Sequence, residues 1–327
     1  MKNNSEVHKK RIQSIVDEIM NQDIINAPYD YLFRSNTLNF PETNHQLLGL
    51  PGEYVCSENT SLFVQNKNPL EMDYLEKVKF KDNKHFQEAL TNVEQETGAI
   101  KDEKKGKIIE YAFGSSQQYG KFCFSFVVTN HDYKTDILQY EVNGVKYTIY
   151  LIIFNKEKIY KILNTLKEKD YNKDEFTETD LVNFIHCLIF AKKKFAKDVV
   201  RKLVKIFTRI KNITEEMQKE LSSSLCLMIK YHFTDEKEIR RLLTMITETL
   251  PQKQQKKLPF EVRLQNQLAE SQKKIANRDN TIAEMGNALD ESNNTIAEKD
   301  KLIEKEIREK EFFKALLEKN NISYSLD

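Results

Sequence analysis

The sequence predicts an α/β protein, a mixed sheet with flanking helices, followed by an all-α segment and a C-terminal coiled coil. Three observations carry this expectation. Short β-like runs surround one helical run between residues 53 and 154. The strand signal then stops, and a seven-residue apolar repeat fills 260–319. At 327 residues the chain has room for about two domains.

Taken in order, residues 5–22 read as a short polar helix inside an N-terminal segment, 1–25. The segment "NAPYDYLFRS" and a proline-punctuated loop around Pro41 and Pro51 open a domain expected over 26–154. Its runs "EYVCS", "SLFVQ", "YLEKVKF" and "EALTNVEQ" are rich in strand formers. Residues 104–119 switch to helical spacing, with Ile108, Ala112, Ser115 and Tyr119 on one stripe. Strands return at "KFCFSFVVT" and "YEVNGVKYTIYLIIF", where Asn143-Gly144 predicts a hairpin turn.

A helical domain is expected over 155–250, with "TETDL" offering an N-cap before "VNFIHCLIFAKKKF". "PQKQQKKLP", 251–259, reads as a linker before a coiled coil at 260–320. There Leu268, Ile275, Ile282, Leu289, Ile296 and Ile303 recur every seven residues. The other seam position is polar for the most part: Ser271, Arg278, Met285, Ser292, Lys299 and Glu306. The coil should therefore be weak, and self-association through it modest. A long solvated helix is the competing reading.

Composition narrows the function classes. The net charge is +1, so any nucleic-acid footprint must be local. Cys56, Cys123, Cys187 and Cys226 form no CxxC, which argues against a zinc ribbon or a secreted disulfide scaffold. A reducing cytoplasm is the expected location. No N-terminal apolar segment reads as a signal peptide, and the longest apolar runs are too short to span a bilayer, so no membrane partner is expected. Glycine-rich phosphate loops, G-x-S-x-G elbows and dinucleotide fingerprints are absent from the sequence.

What chemistry remains lies in acids. Asp73 sits in one β-like run, and Glu94 and Glu96 sit in the next. Residues two apart in a strand face the same way, so Glu94 and Glu96 share a face. An aspartate on a neighbouring strand would complete a cluster able to take Mg²⁺, which binds one or two carboxylates together with water and substrate phosphate. A third side chain, often lysine, would orient the water. Spacing alone favours the plainer reading, a solvated strand face carrying glutamates.

The order of features resembles the Rpn/YhgA-like recombination-promoting nucleases and putative transposases of the PD-(D/E)XK superfamily. An early D-x-x-F-K/R element matches Asp30-Tyr31-Leu32-Phe33-Arg34, a strand aspartate matches Asp73, and "NVEQET" puts Glu94 on the glutamate of an E-x-Q/K motif. Lys107 and Tyr111 stand roughly where the family has R-x₃-Y, and a strand like "FSFVVT" follows. The resemblance covers about 26–154. "KALLEKNNIS" near the C-terminus also looks like the family's closing helix, a less specific match.

The resemblance implies a restriction-endonuclease-like fold and Mg²⁺-dependent hydrolysis of DNA phosphodiesters. Asp73 and Glu94 would be the metal ligands, Asp73, Glu94 and Glu96 the catalytic set, and Asp30 a support from the preceding helix. The chain departs from the motif at Glu96, where glutamine or lysine is usual, because a carboxylate cannot donate a hydrogen bond as those groups do. Glu96 is then a third ligand, a weak base, or the mark of a degenerate copy. The rival reading is a non-catalytic interaction or scaffold protein that works through its coil.

Other charged and reactive residues carry weaker signals. Residues 192–211 combine a basic face with an apolar stripe of Phe195, Val199, Leu203, Ile206 and Ile210. A core-packed helix with a solvated basic face is the expectation, ahead of a phosphate-backbone or membrane-surface contact. Lys121 and His131 flank a strand, and Lys121 is read as a strand-end lysine rather than a phosphate contact. His186 and Cys187 lie in the apolar "NFIHCLIF" and are expected in the core.

Overall fold

The computed structural model describes residues 2–23, 27–62, 70–81, 87–142, 144–259, 261–262, 295–296, 298–308, 310–311 and 314. It divides into two compact units, residues 1–62 with 70–274, and residues 63–69 with 275–327.

The first unit opens with α1 (Lys2–Met20), α2 (Pro28–Asn39) and α3 (Pro41–Leu48). The expected loop at Pro41 is helix instead, because a proline at the first helical position gives up only an N–H that has no intrahelical partner. Nor is α1 a polar helix: Ile12, Ile15, Val16 and Ile19 form a buried stripe, and their spacing places them on one face.

Strands β1 (Glu53–Ser57), β2 (Ser61–Leu62), β3 (Leu70–Glu71), β4 (Tyr74–Lys79) and β5 (Glu88–Glu96) follow, then α4 (Asp102–Tyr119), β6 (Cys123–Thr129), β7 (Ile137–Val142) and β8 (Val145–Ile153). Six strands form one mixed sheet in the order β1-β4-β5-β6-β8-β7, and β2 pairs with β3 apart from it. The pairs β1–β4, β4–β5 and β7–β8 are antiparallel. The pairs β5–β6 and β6–β8 are parallel. Helix α4 is the crossover from β5 to β6, as a parallel connection requires. Gly144 takes a positive φ of 79° in the hairpin between β7 and β8.

The two faces of the sheet bury different neighbours. Tyr74, Val93, Val128 and Phe154 point into a large core shared with helices. Leu75, Leu90 and Cys123 point the other way, against Tyr111 of α4. Val127, Ile149 and Leu151 do the same against Ile108 and Ile109. Alternation along each strand enforces this division.

After β8 the described chain to Thr249 carries only helices: α5 (Lys156–Asn172), α6 (Glu178–Phe190), α7 (Lys193–Phe207), α8 (Glu215–His232) and α9 (Glu236–Thr249). Thr177 caps α6 in a reciprocal capping box with Asp180. The boundary expected between 154 and 155 runs through a shared core, because Phe154 stacks on Phe190 of α6 with ring centroids 4.6 Å apart. The expected linker is a correction of another kind. Residues 252–259 are helical, and Leu258 and Val262 join the same core. Arg11 donates to Gln255 Oε1 at 2.9 Å, and Gln22 donates to the Pro259 carbonyl at 2.8 Å.

In the second unit residues 298–308 are helical. Ile296, Leu302, Ile303 and Ile307 are each more than half exposed. The heptad positions Leu268, Ile275, Ile282 and Leu289 lie outside the described residues.

Candidate functional site

Asp73 directly precedes β4, and Glu94 sits near the end of β5. The antiparallel register pairs Tyr74 with Val93, which brings the two acids side by side at one rim of the sheet. The Asp73 N–H donates to Glu94 Oε1 at 3.1 Å. The Gln95 N–H donates to Asp73 Oδ2 at 2.9 Å. Each acid thus accepts from the other's strand, and the pair is built into the backbone pairing.

Two cations meet these acids. Arg34 of α2 donates to Asp73 Oδ1 through Nη2 at 3.0 Å and through Nε at 3.3 Å. Its Nη1 also stands 3.9 Å from Glu71. Lys104, in the first turns of α4, donates from Nζ to Glu94 Oε2 at 3.0 Å and lies 3.9 Å from Glu96 Oε2. Asp30 belongs to the same electrostatic neighbourhood, where it feels Asp73, Arg34, Lys104 and Glu96.

Charge is unbalanced here. Among the described residues, the ion pairs of Glu71, Asp73, Glu94 and Glu96 run to two cations, Arg34 and Lys104, and Asp30 stands in the field of both. Burial, then the Asp73 charge, pushes the Glu94 carboxyl far above the ordinary carboxylate range. Burial also raises Glu96, against the pull of Lys104. Burial would lower Lys104, but Glu94 and Asp73 outweigh it and leave the ammonium held charged. Tyr111 is raised by burial and then by Glu94.

These residues fit a hard divalent cation on two counts. The excess of carboxylates favours positive charge, and one or two carboxylates completed by water and substrate phosphate are a usual Mg²⁺ donor set. Asn92 adds an orphan: it is fully buried on the same face of β5 as Glu94, and neither of its side-chain polar atoms has a hydrogen-bond partner among the described residues. Among the described residues no group of three or more His, Cys, Asp or Glu side chains could by itself hold a metal ion.

The structure thus brings Asp73, Glu94 and Glu96 together, with Asp30 and Arg34 beside them. It leaves Lys107 out, exposed and 3.6 Å from Glu103. Lys121 is tied to Glu88 at 2.7 Å. His131 packs its ring on Tyr133. His186 is fully buried and within 2.9 Å of Asn44 Oδ1, and Cys187 is in the core. Helix α7 buries Phe195, Val199, Leu203 and Ile206, while Arg201 on it pairs with Glu238 at 2.7 Å.

Lys104 is the residue that motif reading missed. One signal was available: it stands four residues before Ile108, so it leads the inward stripe of α4 by one turn. The stretch "KDEKKGK" hides it among other lysines. Among the described residues no helix is long and apolar enough to cross a membrane. Comparison with family models, with curated proteins and with solved structures found no match.

Proposed function

We propose that the chain is a metal-dependent endonuclease of the PD-(D/E)XK type, with a restriction-endonuclease-like sheet, that hydrolyses phosphodiester bonds in DNA. The observation that carries this reading is the junction of Asp73 and Glu94 at one rim, with Lys104 Nζ 3.0 Å from Glu94. The β5–α4–β6 crossover beside the β4–β5 pair supports it as well.

Asp73 and Glu94 would hold Mg²⁺. When bound, such an ion acidifies water and offsets negative charge on a phosphodiester. Lys104 supplies, from α4, the positive donor that Glu96 cannot be. Glu96, half-buried and with a raised carboxyl, is suited to accept a proton from water. Arg34 fixes the Asp73 carboxylate, and Asp30 adds negative charge behind it. Four free cysteines, three of them buried, suit a reducing cytoplasm.

Nicking of supercoiled plasmid with and without Mg²⁺ tests the reading. The native chain should nick only with the ion, and Asp73→Asn should not nick at all. Absence of both nicking and Mg²⁺ binding in the native chain would sink it.

One observation favours a second reading, the non-catalytic interaction protein. All four carboxylate oxygens of Asp73 and Glu94 already have partners within the chain, as a purely structural network would. The working surface would then be the exposed Ile296 and Ile303 row, joined to a second copy. Each Leu or Ile buried in such a contact contributes roughly 1.5–3 kcal/mol. Sedimentation of the full chain against residues 1–274 decides it. Equal monomer masses at high concentration would remove the coil as an oligomeriser.

A further inference from the structure

Within the proposed site, on which this inference rests, the geometry points to Lys104 as a resident competitor for the divalent cation. Its ammonium holds Glu94 in the metal-free protein and is displaced toward the substrate phosphate when the ion binds. One cation is thereby exchanged for another at a single carboxylate oxygen.

Three observations carry it. The Glu94 side chain is only 2% exposed, whereas Lys104 beside it is 30% exposed, so the ammonium stands on the open side of a buried acid. Lys104 also has somewhere to go. Its four-carbon stem is flexible, and Glu96 Oε2 lies 3.9 Å from the same nitrogen. Arg34 is held differently, with two nitrogens on one Asp73 oxygen and a third near Glu71, so the planar guanidinium stays in place. Exchange is therefore one-sided: Lys104 leaves and Arg34 remains.

The third observation is Asn92. A buried amide with both polar atoms unpartnered, two residues from Glu94 on the same strand face, leaves polar groups that water or a hydrated ion would satisfy. The charge excess acts in the same direction. A divalent ion replaces one unit of positive charge at Glu94 with two, and the released ammonium stays near enough to meet a phosphate. An ammonium and a divalent ion sharing one carboxylate repel each other strongly at a separation of about 4 Å.

The test is Mn²⁺ binding to the full-length protein, followed by titration calorimetry and by the rise in melting temperature on adding the ion. Lys104→Met keeps the length of the side chain and removes its charge; Lys104→Arg keeps the charge. Lys104→Met is expected to bind Mn²⁺ about tenfold more tightly than the native chain. It should also show the larger ion-induced stabilisation, because its metal-free form leaves Glu94 without a cation. Lys104→Arg should bind no more tightly than the native chain, because it keeps the competing charge. Lys104→Gln provides a second neutral variant should the methionine variant fold poorly. Equal or weaker binding by both neutral variants, with native binding intact, overturns the exchange and leaves the metal site standing. If none of the proteins binds Mn²⁺, the metal site falls and the exchange falls with it.

Discussion

Two glutamates on neighbouring strands are each buried against a cation, and the two pairs are built differently. On the helix-covered face, Glu76 of β4 meets His45 of α3, with side chains 0% and 6% exposed. On the α4 face, Glu94 of β5 meets Lys104, with side chains 2% and 30% exposed. The first pair is closed on its histidine side, although Glu76 Oε2 is buried with no hydrogen-bond partner among the described residues. His45 Nδ1 donates to Glu76 Oε1 at 2.7 Å, and Nε2 donates to the Gly52 carbonyl at 3.1 Å. A carbonyl only accepts, so Nε2 carries a proton, and the carboxylate takes the other. Gly52 itself is required, since it holds a φ of +79° and a Cβ there would stand 2.9 Å from the Lys79 carbonyl oxygen.

The second pair is open. Its cation has a mobile stem, a second acid within reach and a path to water. A closed pair of this kind commits every donor and serves the fold, because breaking it strands a charge in a dry place. An open one keeps a charge available at a rim, which is what binding or catalysis can use. The same residue type thus does opposite work according to how thickly helices cover its side of the sheet.

The sharpest way to break the comparison is Glu94→Gln. Nicking should fall to background while the far-ultraviolet circular dichroism of the native fold is kept, since the amide preserves shape and relieves crowded negative charge. Persistent Mg²⁺-dependent nicking by this variant would show that the open pair is structural too.

Next in size is the closed pair. His45→Gln should cost about 3–5 kcal/mol, read by urea denaturation, because Glu76 is left buried without its cation. A loss below about 1 kcal/mol would mean that water reaches Glu76 after all.

A pH series sharpens the same point without mutation. Burial pulls the His45 imidazolium down, but the hydrogen bond and charge of Glu76, with the Gly52 carbonyl, outweigh it and leave the folded value raised. A raised folded value means that the added stability is complete below the unfolded histidine value of about 6.5 and is lost as pH climbs through the folded value. The melting temperature should therefore decline as pH rises above 6.5 in the native chain, and His45→Gln should flatten that decline. An identical slope in both proteins would assign the pH dependence to other groups.

The smallest effect comes from a helix cap that belongs to neither pair. Thr177→Ala removes the side-chain half of the α6 capping box and should cost about 1 kcal/mol, with nicking unchanged. A loss as large as that of His45→Gln would show that the melt reports fraying of the helical region rather than the pair.

The sequence by itself determined the elements whose signals are local. "EYVCS" is β1 from end to end, "YLEKVKF" contains β4, "EALTNVEQ" covers β5 but for its last residue, Gly144 sits at the hairpin, and Thr177 caps α6. Period-two alternation, helical spacing and capping chemistry act within a few residues, so they can be read along the chain. Glu94 and Glu96 were likewise placed on one strand face by counting. What tertiary structure decided is which distant groups meet. It chose Lys104 rather than Lys107 to face the acids, because the rotation of α4 on the sheet sets which lysine points inward. It carried α1 and residues 252–259 into a core that their charged composition conceals, since a narrow apolar stripe suffices when another helix covers it. And it separated Glu76 from Glu94, two equally buried glutamates in β-like runs that read alike in sequence, because the element packed over each face sets which cation meets the acid: His45, 6% exposed, or Lys104, 30% exposed.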